Sequence, residues 1–303
     1  GQMYYNSTSG QFKAIKNGGA PIGTWASSGA VNTARGWMAS AGTQTAGMIM
    51  GGDPGARTDK TELYDGSTWT EVNDLNLIRG QNVGAGLQTA SITFGGISPP
   101  QSPAEIPNTE SWDGTNWTEV GDLNERKYGM SGFGTATAAV SGGGFTTTGV
   151  SSTETWNGSS WTEVNEMNTA RWYLTGAGTQ TSGIAAVGAT PSQVSNVETW
   201  DGTSWTETTN ANTARDQMCD GAGASDSNAL IYGGATPSAS ALTEFWDGTS
   251  WTEVADLATA RKGIGAFGIS TSAVAASGAT PTRVTNTEDF SAADFTINPV
   301  TTS

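Results

Sequence analysis

Arginine and glutamate recur at regular intervals, and their chemistry is the first question that the sequence raises. The recurring arginines are Arg35, Arg79, Arg126, Arg171, Arg215 and Arg261. The recurring glutamates are Glu62, Glu110, Glu154, Glu198, Glu244 and Glu288. Guanidinium and carboxylate groups can bind anions or transfer protons, but an active site rarely repeats six times in one chain, whereas a structural contact does. We therefore interpret the two sets as ion pairs that fix the register of successive repeats.

The residues that are missing exclude several kinds of chemistry. Histidine is absent and Cys219 is the only cysteine, so the chain can form no intramolecular disulfide, Cys/His zinc site, type 1 copper site, Ser-His-Asp triad or Cys-His pair. Chemistry by carboxylates remains open, since a glycosidase needs only two of them at a suitable separation. Asp216 and Asp220 lie close together in the sequence, but nothing marks either as an acid with a raised pKa. We predict no catalytic residue, no metal ligand and no cofactor.

Charge and composition narrow the class of partner. The formal net charge is −15, which disfavours direct binding to nucleic acids or to anionic membranes. No apolar run is long enough to span a bilayer. The 42 glycines and the charged fraction of only 14% favour many short strands joined by tight turns. The 12 tryptophans supply the large side chains that the core of such a protein needs.

A unit containing all these elements occurs six times. Its last tryptophan falls at Trp25, Trp69, Trp117, Trp161, Trp205 and Trp251, with spacings of 44, 48, 44, 44 and 46 residues. This period is typical of four-stranded propeller blades. We predict strand a after each arginine, strand b in the apolar run, strand c in Thr-Glu-x-Trp and strand d in Trp-Thr-Glu-Val. An Asp-Gly or Asn-Gly pair between strands c and d indicates a hairpin turn.

The repeats are offset from the ends of the chain, which predicts how the ring closes. The first tryptophan strand, at about residues 23–27, has no strands a to c before it, and the last unit has no strand d after it. Pairing Thr24 and Trp25 with Glu288–Phe290 completes the last blade and removes two exposed edges. The sequence therefore predicts an all-β, six-bladed β-propeller over residues 23–290. Residues 1–22 are predicted to form an N-terminal β-hairpin or connector, and residues 291–303 a C-terminal tail.

The repeat resembles the kelch family, in which an apolar run ending in Gly-Gly is followed by an aromatic residue, a tryptophan and an arginine. The resemblance covers about residues 23–290, with Gly188-Ala189 and Gly278-Ala279 in place of Gly-Gly. It implies a scaffold, because propellers host unrelated functions. The tyrosine-rich segment Met3–Lys13, followed by Gly-Thr-Trp and Thr-Ala-Arg repeats, resembles segments of bacteriophage tail and fibre proteins, especially those of marine phages. The alternative is a plain hairpin that caps the propeller.

Candidate binding residues stand where the repeat is broken, just after the recurring arginines and near one mouth of the predicted channel. They are Trp37, Gln81, Tyr128, Trp172, Tyr173, Asp216 and Gln217. Aromatic faces beside amides and carboxylates suit sugar rings, which predicts a shallow ligand platform. The alternative is that these side chains only plug the channel. The segment Ile97–Asn108, with four of the ten prolines, either reaches a partner or is a tolerated surface insertion.

Three functions are compatible with these features. The resemblance favours a non-enzymatic virion or extracellular protein, such as a phage tail-fibre propeller that recognises a glycan or protein on the host surface. Its other partners would be virion subunits, including copies of this chain. A carbohydrate-active enzyme and a structural spacer without a ligand are the alternatives. An intracellular protein-interaction propeller, the usual kelch role in eukaryotes, is disfavoured by the acidic, lysine-poor composition.

Overall fold

The computed structural model describes residues 2–6, 11–15, 23–100, 104–218 and 220–292. The predicted tail therefore lies outside the described residues from position 293 onwards. Cys219 and residues 16–22, which join the N-terminal strands to the propeller, also lie outside the described residues. Strands β1 (Gln2–Asn6) and β2 (Gln11–Ile15) pair antiparallel.

The strands that follow belong to the propeller. Before blade 1 lies β3 (Thr24–Ser28). Blades 1 to 3 contain β4 (Ala39–Thr43), β5 (Ala46–Met50), β6 (Thr61–Tyr64), β7 (Trp69–Glu71), β8 (Val83–Leu87), β9 (Ala90–Phe94), β10 (Thr109–Trp112), β11 (Trp117–Glu119), β12 (Ser131–Thr135), β13 (Ala138–Gly142), β14 (Thr153–Trp156) and β15 (Trp161–Val164). Blades 4 to 6 contain β16 (Thr175–Thr179), β17 (Ser182–Ala186), β18 (Val197–Trp200), β19 (Trp205–Glu207), β20 (Ala222–Ser225), β21 (Asn228–Tyr232), β22 (Thr243–Trp246), β23 (Trp251–Glu253), β24 (Gly265–Ile269), β25 (Ser272–Ala276), β26 (Ala279–Thr280), β27 (Thr282–Arg283) and β28 (Thr287–Ser291).

Six antiparallel sheets of four strands confirm the six-bladed propeller. Blades 1 to 5 run in chain order from strand a to strand d, and the sixth sheet has the order β24-β25-β28-β3. The prediction that the N-terminal strand closes the ring is thus confirmed, with Trp25 opposite Phe290. The last strand extends to Ser291, one residue beyond the predicted boundary.

Tryptophan indoles join neighbouring blades. The strand d tryptophan of one blade donates a hydrogen bond from Nε1 to the first residue of strand c in the blade before it, as Trp205 does to Thr153 Oγ1 at 2.9 Å. Trp251 in blade 5 is the exception. The first residue of strand c in the blade before it is Val197, which has no hydroxyl group, so Trp251 Nε1 donates instead to the carbonyl oxygen of Thr209 at 3.0 Å. The buried indoles therefore supply both apolar area and one specific contact per pair of blades.

The two faces of the disc differ in the connections they carry. The loop face carries the d–a and b–c connections, which meet in isolated bridges such as Gly36 with Asp53 and Trp172 with Ala189. The opposite, turn face carries the a–b and c–d turns. There the carboxylate of Asp113 accepts hydrogen bonds from the backbone N–H groups of Asn116 and Thr115, which lower its pKa. The Asp-Gly aspartates are therefore turn residues, as the sequence indicates.

Candidate functional site

The recurring cations and glutamates form buried pairs within each blade. Their closest N–O distances are 2.7 Å for Arg35–Glu62, 2.7 Å for Arg79–Glu110, 2.9 Å for Arg171–Glu198, 2.8 Å for Arg215–Glu244 and 2.7 Å for Arg261–Glu288. All five arginines are fully buried. A charge buried in this way requires its partner. Each pair therefore stabilises its own blade, and these residues are unavailable to a ligand.

Blade 3 corrects one assignment made from the sequence. The residue in the arginine position is Lys127, not Arg126: Lys127 is buried and its Nζ lies 3.7 Å from Glu154, whereas Arg126 is exposed. Burial lowers the pKa of Lys127, and Glu154 acts in the opposite direction. The spacing to the glutamate gives the correct alignment, since 27 residues separate both Lys127 from Glu154 and Arg35 from Glu62.

An asparagine three residues before the cation completes five of these six clusters, and the sequence analysis missed it. Asn168, for example, donates from its backbone N and its Nδ2 to Glu198 Oε2, at 2.7 and 2.9 Å. The same residue occurs in five blades as Asn32, Asn76, Asn124, Asn168 and Asn212. In blade 6 Ala258 keeps only the backbone hydrogen bond to Glu288. The sequence alone could have revealed this asparagine, because it recurs at the same position in five of the six repeats.

The second residue after each cation forms a ring around the channel mouth. Every member has a left-handed backbone, with φ of 54° at Trp37, 59° at Gln81, 60° at Gly129, 54° at Tyr173, 53° at Gln217 and 59° at Gly263. Backbone hydrogen bonds link the ring from blade to blade, as from Tyr173 N to the Gly129 carbonyl oxygen at 2.6 Å. This backbone is uncommon outside glycine, and its sixfold recurrence indicates that ring closure imposes it.

The side chains of this ring repeat every three blades, in the order aromatic, glutamine, glycine. Each aromatic residue lies against the glycine of the preceding blade: a Cβ at Gly263 would lie 2.9 Å from the Trp37 ring, and one at Gly129 would lie 2.9 Å from the Tyr173 ring. The cavity beneath the ring is only about 10 Å³, about enough for one water molecule. Trp37, Gln81, Tyr173 and Gln217 therefore close the channel mouth, which supports the plug interpretation for these four.

The other three candidates, Tyr128, Trp172 and Asp216, lie one residue closer to the cation, where each faces the b–c loop of the preceding blade. Gln193 Nε2 donates to Asp216 Oδ1 at 3.0 Å, and burial raises the pKa of this half-buried carboxyl. Burial and, to a smaller extent, the charge of Glu105 raise the pKa of Tyr128. The seven candidates thus belong to two layers and do not form one platform.

Trp172 differs because its partner across the blade boundary is a glycine. A Cβ at Gly149 would lie 2.6 Å from the six-membered ring of Trp172. At the boundary between blades 1 and 2 the arrangement is reversed, with the long side chain of Arg57 lying over Gly80. An open groove of about 370 Å³ lies beside the contact of Trp172 with Gly149, between blades 3 and 4. Its lining residues are Phe145, Thr147, Thr148, Gly149, Ala170, Trp172, Thr190 and Pro191.

Aromatic side chains continue from the groove towards the axis. The ring centroids of Trp172 and Phe145 are 5.1 Å apart, those of Phe145 and Tyr128 are 5.4 Å apart, and those of Tyr128 and Tyr173 are 6.1 Å apart. Phe145 was not among the residues predicted from the sequence, because it lies in a b–c loop with no repeated aromatic. The groove and this row of four rings form the candidate binding site on the loop face.

A buried carboxyl group, that of Asp220, lies in the channel. Eight residues lead from Arg35 to the end of strand a at Thr43, but ten lead from Arg215 to Ser225 in blade 5. Asp220 lies within this longer segment and is only 4% exposed. Its Oδ2 accepts from Ser40 N at 2.6 Å, so the carboxyl crosses from blade 5 to blade 1.

The rest of the channel lining explains why the pKa of this carboxyl is raised. The cavity of about 140 Å³ is lined mainly by glycine and alanine, and Asp220 is the only ionisable residue in the described part of its lining. Burial without a cation raises the pKa of Asp220 to about 8, although hydrogen bonds from Ser40 and Gly84 favour the charged form. Among the described residues, no group of three or more His, Cys, Asp or Glu side chains is placed to bind a metal ion.

The long b–c loop of blade 2 is closed at its base. Ser98 N donates to the carbonyl oxygen of Ala104 at 2.8 Å, and Ile97 forms a bridge with Glu105. The excursion is therefore confined to residues 99–103, of which 101–103 lie outside the described residues. Whether this segment contacts a partner stays a prediction.

Comparison with known proteins supports the fold alone. No protein-family model matches the chain, and no curated protein matches it. Its fold is shared with YjhT. The solved structure of YjhT aligns with a TM-score of 0.70 and 12% sequence identity, covering 86% of this chain and 96% of that one. Identity at this level says nothing about a shared ligand or activity. No helix in the described part of the chain is long and apolar enough to cross a membrane.

Proposed function

We propose that the chain is a non-enzymatic binding protein of a virion or other extracellular structure, and that it recognises a host surface glycan through its loop face. The observation that carries this proposal is the groove between blades 3 and 4, where Trp172 is partly exposed beside Phe145. Its volume of about 370 Å³ falls within the usual range of small-molecule sites.

The chemistry of the groove fits a sugar. Aromatic rings can pack against the C–H face of a pyranose, and hydroxyl groups at the edge can exchange hydrogen bonds with those of the sugar. Thr147 and Thr148 are exposed at the rim, and Thr190 lies beside Pro191 on the other side. Partly exposed aromatic side chains in a concave site commonly mark binding surfaces.

The sequence resemblances supply the biological setting of this proposal. The kelch-like repeat is a scaffold with no activity of its own, and the tyrosine-rich N-terminal segment resembles phage tail and fibre proteins. A tail-fibre propeller would use one face for the host and other surfaces for virion subunits, including copies of itself. The net charge of −15 disfavours nucleic acid and anionic lipid as the ligand.

The test is an array of bacterial surface glycans probed with the wild-type chain and two tryptophan variants. Trp172→Ala removes the indole from the groove and should abolish specific binding. Trp37→Ala is the matched control, since this tryptophan is also partly buried on the loop face but lies over Gly263 in the axial ring. Binding that survives Trp172→Ala, or no binding by a folded wild-type chain, would contradict the proposal and favour a structural spacer.

A carbohydrate-active enzyme is the second candidate, and Asp216 is the observation that favours it. Burial raises the pKa of this half-buried carboxyl on the loop face, as general acids require. Incubation with the glycans that bind would decide: hydrolysis or rearrangement that is lost in Asp216→Asn would establish an enzyme, and unchanged glycans would support a binding protein.

A further inference from the structure

The groove between blades 3 and 4 carries no charge, in a protein with a large net charge. None of its eight lining residues is ionisable, although the whole chain contains 28 acidic and 13 basic residues. A charged ligand group would lose water there without gaining an ionic partner, which is costly. An anionic ligand would in addition approach a surface of the same sign. The groove therefore favours an uncharged ligand.

The hydrogen-bonding groups at the groove are few and simple. The polar side-chain groups in its lining are the hydroxyls of Thr147, Thr148 and Thr190 and the indole N–H of Trp172. Each hydroxyl donates one hydrogen bond, whereas an amide or carboxylate could bind two neighbouring sugar hydroxyls at once. A richly hydroxylated ligand surface would therefore lose hydrogen bonds to water that the groove does not replace. The buried side of the ligand should carry few hydroxyls.

The aromatic rings form a corner suited to a small apolar group. The planes of Phe145 and Trp172 meet at 71°, with their centroids 5.1 Å apart. Pro191 lines the same groove, and Gly149 packs so closely against the six-membered ring of Trp172 that a Cβ there would lie 2.6 Å from it. A methyl group or a C–H face placed in this corner would bury apolar area against two rings at once.

From this combination we propose that the groove selects a neutral sugar of the 6-deoxyhexose class, whose C6 methyl group enters the corner between Phe145 and Trp172. This inference rests on the proposed function, because it names the class of glycan bound at that same groove. The sugar's ring hydroxyls on the outer side meet the threonine hydroxyls and water.

A C6 series tests the inference directly. The methyl glycosides of D-fucose, D-galactose and D-galacturonic acid differ only in carrying CH₃, CH₂OH or COO⁻ at C5, and the gluco and manno configurations offer the same three members. Each is titrated against the wild-type chain, Trp172→Ala and the control Trp37→Ala, with binding followed by ligand-observed NMR. We expect the 6-deoxy member of at least one configuration to bind at least ten-fold more tightly than its uronate, and this preference to be lost in Trp172→Ala alone.

The outcomes separate this inference from the proposed function. Tightest binding by a uronate or by the CH₂OH member, still dependent on Trp172, would overturn the 6-deoxy assignment and leave glycan recognition at the groove intact. Binding that Trp172→Ala does not weaken would overturn the site itself. No binding of any series member, together with no binding on the glycan array, would overturn both.

Discussion

Replacing Asp220 with asparagine should change how the stability of the protein depends on pH. Burial raises the pKa of this carboxyl to about 8, against an ordinary value of 3.8 that unfolding restores. The folded state therefore binds the proton more tightly than the unfolded state does. The stability that this group contributes is fully present below about pH 4, declines as pH rises, and is lost above about pH 8.

The magnitude follows from the difference in pKa. Each unit corresponds to about 1.4 kcal/mol, so the group accounts for roughly 5 kcal/mol between pH 4 and pH 8. The hydrogen bonds at Ser40 are consistent with a protonated Asp220. The Ser40 hydroxyl lies 2.8 Å from both Asp220 Oδ2 and the Ala266 carbonyl oxygen, but it has one hydrogen to donate. A proton on Asp220 allows Ser40 to donate to Ala266 and to accept from the carboxyl.

The assay is urea unfolding between pH 4 and pH 8, followed by tryptophan fluorescence. The free energy of unfolding of Asp220→Asn should exceed that of the wild type by an amount that grows with pH. Asp201→Asn is the matched control: Asp201 is an exposed turn residue whose pKa is lowered by backbone hydrogen bonds, and blade 3 carries Asn157 at this position. Its difference from the wild type should stay constant over this range. A constant difference for Asp220→Asn as well would refute a buried proton at this residue.

Three further predictions concern the propeller itself. Arg171→Met leaves Glu198 buried without its cation and should lower the free energy of unfolding in urea by about 3–5 kcal/mol; a loss below about 1 kcal/mol would show that the pair is dispensable. Deleting residues 1–28 removes strand d of blade 6 and exposes the edge of β28, so the product should associate on gel filtration; a stable monomer would contradict closure by β3. Gly263→Val places a branched side chain at a φ of 59° and against Trp37, which should cost at least about 1–3 kcal/mol and lower the thermal midpoint; an unchanged midpoint would contradict the tight ring.

The repeat arithmetic was sufficient to predict the number of blades, the strand order and the closing strand. These follow from the spacing of residues that every blade buries, such as the strand d tryptophan and the glutamate of strand c. The same reasoning chose Arg126 over Lys127 because it followed the residue type and not the distance to Glu154. A lysine can occupy the position because its ammonium also fits beside the glutamate and accepts a longer separation of 3.7 Å.

The grouping of the candidate site could not be predicted in the same way. Trp172 and Tyr173 are neighbours in the sequence, but one faces the b–c loop of blade 3 and the other lies over Gly129 at the axis. They face different ways because the ring position has a left-handed backbone. The residue type does not reveal this backbone, since glutamine, tyrosine and tryptophan all adopt it. The longer segment between Arg215 and the end of strand a in blade 5 was visible only as a spacing of 46 residues, which does not show that Asp220 enters the channel.

The groove lies at a blade boundary where the residue after the cation is large and the b–c loop contributes a glycine. Between blades 1 and 2 the long side chain comes from the b–c loop instead, where Arg57 lies over Gly80. Between blades 3 and 4 the large residue is Trp172 and the loop contributes only Gly149. Gly149 allows the Trp172 ring to lie against the backbone of the loop, and the indole is partly exposed. A side chain at position 149 would displace the indole, which makes this position a determinant of the function that we propose.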